Sequence, residues 1–148
     1  MSSIPPTLKY IEGFTVTGVS TKTQNTDEFN EKTARLPSLW QQFYSSDLAA
    51  NASIFEVYSD YESDANGLYT VTVGVSDDSE RAELGSVKIQ AGNYLIFHGT
   101  GPMPSTVAET WKKIWDYFEA ESEYERSFIS DFEAYIGSDK VDIHIGIK

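Results

Sequence analysis

The sequence contains no cysteine, which excludes both a disulfide framework and a thiolate metal site. Histidine is nearly absent too: only His98 and His144 occur, and neither sits in the spacing of a His/Asp/Glu metal cluster, so no metal and no cofactor is expected. No apolar run approaches the about 20 residues needed to cross a bilayer. The opening Met1-Ser2-Ser3-Ile4-Pro5-Pro6 lacks the basic start and apolar run of a signal peptide. A soluble, cytoplasmic protein with no membrane contact is expected. Basic residues are scarce, 11 Lys+Arg against 23 Asp+Glu, for a net charge of −12. Such a chain repels phosphate backbones, so direct nucleic-acid contact is disfavoured, whereas a cationic ligand is attracted. The same acidic surface also serves solubility.

Catalytic signatures are missing as well. Gly99-Thr100-Gly101 is too short for a phosphate loop, no G-x-S-x-G elbow occurs, and no serine lies in a nucleophile motif. The acidic runs Asp60-Glu62-Asp64, Asp77-Asp78 and Glu119-Glu121-Glu123 read as solvated loops and helix ends rather than as an acid/base pair in a cleft.

Aromatic residues are plentiful instead, with 3 Trp, 9 Tyr and 8 Phe. They fall within an internal duplication. Phe55-Glu56-Val57-Tyr58 recurs as Phe132-Glu133-Ala134-Tyr135. Each is followed by an alternating run with a glycine near its end, Tyr69 to Val75 and Val141 to Ile147, and preceded by a Trp-bearing helical segment, Leu36 to Tyr44 and Val107 to Phe118. Each half opens with a glycine and an extended run, Gly13-Phe14-Thr15-Val16 and Gly92-Asn93-Tyr94-Leu95. The order strand, helix, strand, strand occurs twice, so the 148 residues form one domain over 1–148, with repeats at about 7–76 and 85–148. Val107, Trp111, Ile114, Trp115 and Phe118 make one apolar helical stripe. Pro104-Ser105 suits the start of that helix and Pro37 a first-turn position in the other. Asn66-Gly67 signals a hairpin, and Gly137-Ser138-Asp139-Lys140 a tighter turn. Lys9–Thr21 and Gly85–Gly99 read as strands, the second bent at Ala91-Gly92. His144 is expected on the opposite strand face from Ile143 and Ile145.

Glu133 stands out among the carboxylates. It lies in an otherwise apolar strand and shares a face with Tyr135, while Phe132, Ala134 and Ile136 take the other. On a solvated face such a carboxylate means little. In an aromatic hollow it is poorly solvated, and a cation or a proton relieves it. Its repeat partner Glu56 has the same two readings. In a hollow, an apolar cation gains Coulomb attraction and about 0.5–2 kcal/mol per cation–π contact. The candidate walls are Trp40, Tyr44, Tyr58, Tyr94, Trp111, Trp115 and Tyr135, with Trp115 and Phe118 fitting a buried stripe best.

These residues carry a family resemblance. Leu36-Pro37-x-Leu39-Trp40-x-x-Phe43-Tyr44, the Y-x-V-x-V-G strand from Tyr69 to Gly74, Gln90 to Phe97 with Gly99, and Phe132-Glu133-Ala134-Tyr135 with the closing strand Val141 to Lys148 resemble the GyrI-like small-molecule-binding domains. These are the effector-binding modules of AraC-type and MerR-type regulators such as Rob and BmrR, and the chain resembles their stand-alone members. The resemblance implies an α+β fold: two pseudo-twofold-related β-α-β-β units forming an antiparallel, barrel-like sheet core with two main helices. It implies a ligand hollow at the junction of the units, with Glu133 as the acidic contact and lipophilic cations as ligands. Walls are then expected from Tyr135, Tyr58, Trp40, Trp111 and Tyr94, with Glu56 nearby. No DNA-reading element is expected in the module itself. Some members act on DNA gyrase, which keeps a protein–protein inhibitor as the alternative, and a few related domains hydrolyse substrates. Exposed strand edges leave room for a homodimer or another protein partner.

Overall fold

Alternation of β-branched and polar residues builds most of this chain, and strands dominate it accordingly. The structure, a computed structural model, describes residues 6–24, 28, 32, 34–44, 54–62, 67–76, 85–102, 105–120, 124–136 and 139–148. The strands are β1 (Thr7–Ile11), β2 (Phe14–Thr23), β3 (Ile54–Ser59), β4 (Tyr69–Ser76), β5 (Gly85–Ile89), β6 (Gly92–Thr100), β7 (Arg126–Ile136) and β8 (Lys140–Ile147). Helix α1 spans Leu36–Tyr44 and α2 spans Ser105–Glu119. Among the described residues, all eight strands form one antiparallel sheet in the order β1-β6-β8-β7-β3-β4-β2-β5.

The two units meet at β7 and β3, in the middle of the sheet, where Glu56 and Glu133 are register partners. On either side the order mirrors itself, β8-β6 against β4-β2. The first strand of each half is exchanged: β1 completes the second half by pairing with β6, and β5 completes the first by pairing with β2. Lys9–Thr21 is therefore not one strand. It breaks at Glu12-Gly13, because β1 and β2 serve opposite edges of the sheet. The bend at Ala91-Gly92 is present, and it separates β5 from β6. Pro37 stands in the first turn of α1, where its missing N–H costs nothing. Glu28 caps that helix by accepting the Arg35 and Leu36 N–H groups at 2.9 and 3.1 Å. Pro104, Asn66 and the pair Gly137-Ser138 lie outside the described residues.

Period-2 alternation divides the core between the two sheet faces. One face carries Val71, Val73, Leu95, Phe97, Ile143 and Ile145, and both helices cover it. The residues of α2 buried deepest are Thr106, Thr110 and Ile114. The stripe of Val107, Trp111 and Phe118 is half-buried beside them, so the contact line runs one position earlier than the large apolar residues indicate. Gly99 is the reason: a side chain there would lie 2.4 Å from Thr110 Oγ1, so strand and helix touch closely through small groups. The other face gathers Val16, Val57, Ile89, Tyr94 and Phe132. Ile89 belongs to the last strand of the sheet order and Tyr94 to the second, so the sheet curls until its two ends share one cluster.

His144 lies on this second face, opposite Ile143 and Ile145 as alternation requires. Its ring stacks on Phe132 at 4.2 Å and 13°. Burial lowers its pKa from 6.5 to about 4, partly offset by the Asp142 carbonyl 3.1 Å away. The unfolded chain binds this proton and the folded one does not, so the contribution of His144 to stability is complete above about pH 6.5 and falls as pH drops towards 4. We expect a loss of about 2 kcal/mol from this group between pH 7 and pH 5. Urea unfolding of the wild type and of His144→Phe at both pH values measures it: the variant retains the ring stack and should lose that part of the pH dependence.

Candidate functional site

Placing Phe-Glu-x-Tyr on both central strands sets four polar side chains on the helix-covered face. Glu56 and Glu133 are buried, at 3% and 0% exposure. Isolated ionised carboxylates would not persist there, so they must find donors. The donors come from both repeats in a crossed pattern. Trp40 of α1 gives its indole N–H to Glu56 Oε1 at 3.2 Å, and Trp111 of α2 gives its own to Glu133 Oε2 at 2.6 Å. Each Trp thus bonds the glutamate of its own repeat. Each also packs edge-on against the tyrosine of the other repeat: Trp40 on Tyr135 with centroids 5.3 Å apart, and Trp111 on Tyr58 at 5.4 Å.

The two tyrosines bridge the carboxyls. The Tyr58 hydroxyl is 2.7 Å from Glu133 Oε2 and 3.1 Å from Glu56 Oε2. The Tyr135 hydroxyl bonds Glu133 Oε1 at short range and is 3.5 Å from Glu56 Oε2. Burial, reinforced by the neighbouring carboxyls, raises both phenols above their ordinary range, so they stay protonated donors. Burial first, and then the negative charge of Glu133, pushes the Glu56 carboxyl well above the usual carboxylate range.

A second polar group lies beside this one. Asp131 sits two residues before Glu133, hence on the same face, and is fully buried. It is ion-paired with Arg126 at 2.7 Å, accepts the Gly146 N–H at 2.8 Å, and takes a short bond from the Tyr61 hydroxyl. A register shift between Arg126 and Asp131 makes room for this, with Phe128 forced to a φ of 54°. The Arg126 guanidinium lies 4.4 Å from the Phe128 ring centre and 5.9 Å from that of Trp111. The protein thereby keeps one cation of its own on the Trp111 side. On the Trp40 side stands Tyr44, 60% exposed and 5.7 Å from the Trp40 ring.

Of the residues expected from sequence, Glu133, Glu56, Tyr58, Tyr135, Trp40 and Trp111 converge on one site. Tyr94 does not. It lies on the opposite face with Phe132, and its hydroxyl bonds the Gln90 carbonyl at 2.6 Å. Strand parity separates it: its neighbour Leu95, not Tyr94, faces the helices. Trp115 is half-buried, 6.1 Å from Trp111, and not part of the buried core. Sequence reading missed two things. It places Glu56 near Glu133, but does not show that the two face each other across paired strands and share the Tyr58 and Tyr135 hydroxyls. It also passed over Asp131 and Arg126, although Asp131 shares strand parity with Glu133. The acidic residues Asp77, Asp78, Glu121 and Glu123, on which a protein-inhibitor reading would rest, lie outside the described residues. Among the described residues no group of His, Asp and Glu could hold a metal ion, and no helix is long and apolar enough to cross a membrane.

Comparison with known proteins bears on the family and the fold. Residues 7–147 match the family described as integron-associated effector binding protein, Cass2. The chain is 33% identical to YobU of Bacillus subtilis (strain 168), whose name proposes a transcriptional regulator; the match covers 88% of this chain and 90% of YobU. It is also 33% identical to an integron cassette protein from the mobile metagenome of Vibrio cholerae, superposing with a TM-score of 0.89 over 97% of this chain and 96% of that one. At 17% identity, the structure of SAV2435 bound to tetraphenylphosphonium shares the fold, with a TM-score of 0.78 over 98% and 94% of the two chains.

Proposed function

We propose, from the premise that this chain belongs to the family of integron-associated effector binding proteins, that it captures lipophilic, aromatic cations at the Glu56–Glu133 site. The observation that carries this reading is a buried carboxylate, Glu133, bonded by Tyr58, Tyr135 and Trp111, with Trp40 packed edge-on against Tyr135. Binding of tetraphenylphosphonium by SAV2435, a protein of the same fold, supports the ligand class.

Capture has a physical sequence. The field of a chain with net charge −12 raises the local concentration of cations. Because both carboxyls are closed to solvent, a ligand must displace an indole donor before it meets the charge. Trp40 is the more readily moved of the two, since its bond is the longer and its outer neighbour Tyr44 is exposed. The cation then exchanges water for aromatic faces and a low-dielectric carboxylate, and the neutral donors rearrange around it. Membership of an effector-binding family supports binding rather than catalysis. The YobU name supports an output in transcriptional regulation, with DNA contact supplied by a partner.

A tryptophan-fluorescence titration tests the reading. Tetraphenylphosphonium should give a saturable change as Trp40 leaves its carboxyl partner, and neutral triphenylphosphine oxide should give at least about tenfold weaker binding. Equal response to both compounds would remove charge from the mechanism, and no response to either would remove the cation-binding function.

A further inference from the structure

Two phenols bring two hydrogens to the carboxyl pair, and the distances commit both to Glu133. Tyr58 is nearer to Glu133 Oε2, at 2.7 Å, than to Glu56 Oε2, at 3.1 Å. Tyr135 is at short range to Glu133 Oε1 and 3.5 Å from Glu56 Oε2. A hydroxyl has one hydrogen to give. Glu56 Oε2 therefore faces two phenol oxygens with no hydrogen left between them. Three oxygens offering only lone pairs repel one another. A hydrogen on Glu56 Oε2 turns the 3.1 Å contact into donation to the Tyr58 oxygen, while Glu56 Oε1 still accepts from Trp40. Glu133, with short bonds from Tyr58, Tyr135 and Trp111, is supplied as a carboxylate; Glu56 is supplied as an acid.

Five described side chains face Glu56. They are Glu133 and Tyr135 from β7, Tyr58 from its own strand, Trp40 from α1 and Tyr69 from β4. The Tyr58, Tyr135 and Tyr69 phenols are all raised above their ordinary range by burial, so none changes charge near neutrality. Asp131 lies on the same face, and its charge is met by Arg126. Burial and the charge of Glu133 favour the protonated form of Glu56 and outweigh the Tyr58 and Trp40 hydrogen bonds, which favour the ionised form.

We propose that the free domain holds this pair singly charged, Glu133 as carboxylate and Glu56 as acid, and that dicationic aromatic ligands are taken up by expelling the Glu56 proton. This rests on the cation-binding reading and extends it to a second ligand class. In the exchange the Glu56 O–H bond breaks, its electron pair stays on the carboxyl, and the proton passes to the buffer. The new negative charge meets the second positive charge of the ligand. A monocation needs no exchange, because Glu133 already balances it.

Two ions on one biaryl frame separate the cases: 1,1′-dimethyl-4,4′-bipyridinium carries two charges and N-methyl-4-phenylpyridinium one. Each is titrated calorimetrically into the whole chain at pH 6.5 and 7.5, in buffers of different ionisation heat. The dication should release about one proton and gain about tenfold in affinity over that pH unit, while the monocation releases none and changes less than about twofold. In Glu56→Gln the proton release and the pH slope of the dication should vanish. Equal proton release with both ions, none with the dication, or binding of the monocation alone overturns this inference and leaves the cation-binding reading standing. No binding of either ion or of tetraphenylphosphonium overturns both.

Discussion

Glu133→Gln should weaken tetraphenylphosphonium binding by at least about 30-fold and leave triphenylphosphine oxide binding within about threefold, since truncating one side of a buried charge pair costs 2–5 kcal/mol or more. Glutamine has the shape of glutamate, so the aromatic surroundings keep their packing. Its amide oxygen still accepts from Trp111, and the Tyr135 hydroxyl rotates to accept from the new NH2. What disappears is the charge. The substitution also removes a buried ionised group, so the thermal unfolding midpoint should hold or rise rather than fall. That separates lost affinity from lost folding. Glu56→Gln is the contrasting variant: with Glu56 as the protonated member it should change tetraphenylphosphonium affinity by less than about threefold. Isothermal titration of the three proteins decides. Equal losses in both variants would show that the pair shares its charge evenly rather than placing it on Glu133.

Gly18→Ala should cost about 3–5 kcal/mol of stability or prevent accumulation of folded protein. Gly18 and Gly74 are register partners in β2 and β4. A Cβ on Gly18 would lie 2.0 Å from the Val73 carbonyl oxygen and 2.5 Å from the Gly74 Cα. One on Gly74 would lie 2.2 Å from the Thr17 carbonyl oxygen. Both obstacles are backbone, so no rotamer change relieves them, and the strands would have to part. Gly92→Ala is the control: a Cβ there meets nothing within 4 Å, and the change should stay within about 0.5 kcal/mol. Urea unfolding of the three chains measures the difference. A cost below about 1 kcal/mol for Gly18→Ala would mean that the strand pair separates without resistance, contrary to the close approach described.

Strand parity explains which parts of the site were legible in the chain. Glu133 with Tyr135, and Glu56 with Tyr58, follow from alternation within one strand, because successive side chains point to opposite faces. The helical tryptophans followed from the duplicated segments. Tyr94 was misplaced because its parity on β6 has no reference until β6 is paired with β8, and that pairing sends Leu95 to the helices and Tyr94 away from them. Lys9–Thr21 was read as one strand because its apolar alternation hardly pauses; only the curl of the sheet sends β1 and β2 to different neighbours. The stripe on α2 was read one position late, since large apolar residues dominate a periodicity argument while Thr106 and Thr110 make the closest contact.

By itself, then, the sequence determined a duplicated strand-helix-strand-strand α+β chain, acidic, without the thiols or histidine clusters of a metal site, bearing a glutamate and a tyrosine on one face of a strand in each half. Composition and periodicity are local properties, and local order suffices for these. The tertiary structure alone decided that β3 and β7 lie side by side, so that Glu56 faces Glu133. It also decided that each tryptophan bonds the carboxyl of its own half while packing on the tyrosine of the other. Those are contacts between residues up to 95 positions apart, as Trp40 and Tyr135 are. Whether a carboxylate is solvated, paired or short of a proton depends on such neighbours, because desolvation and Coulomb energy act through space and not along the chain.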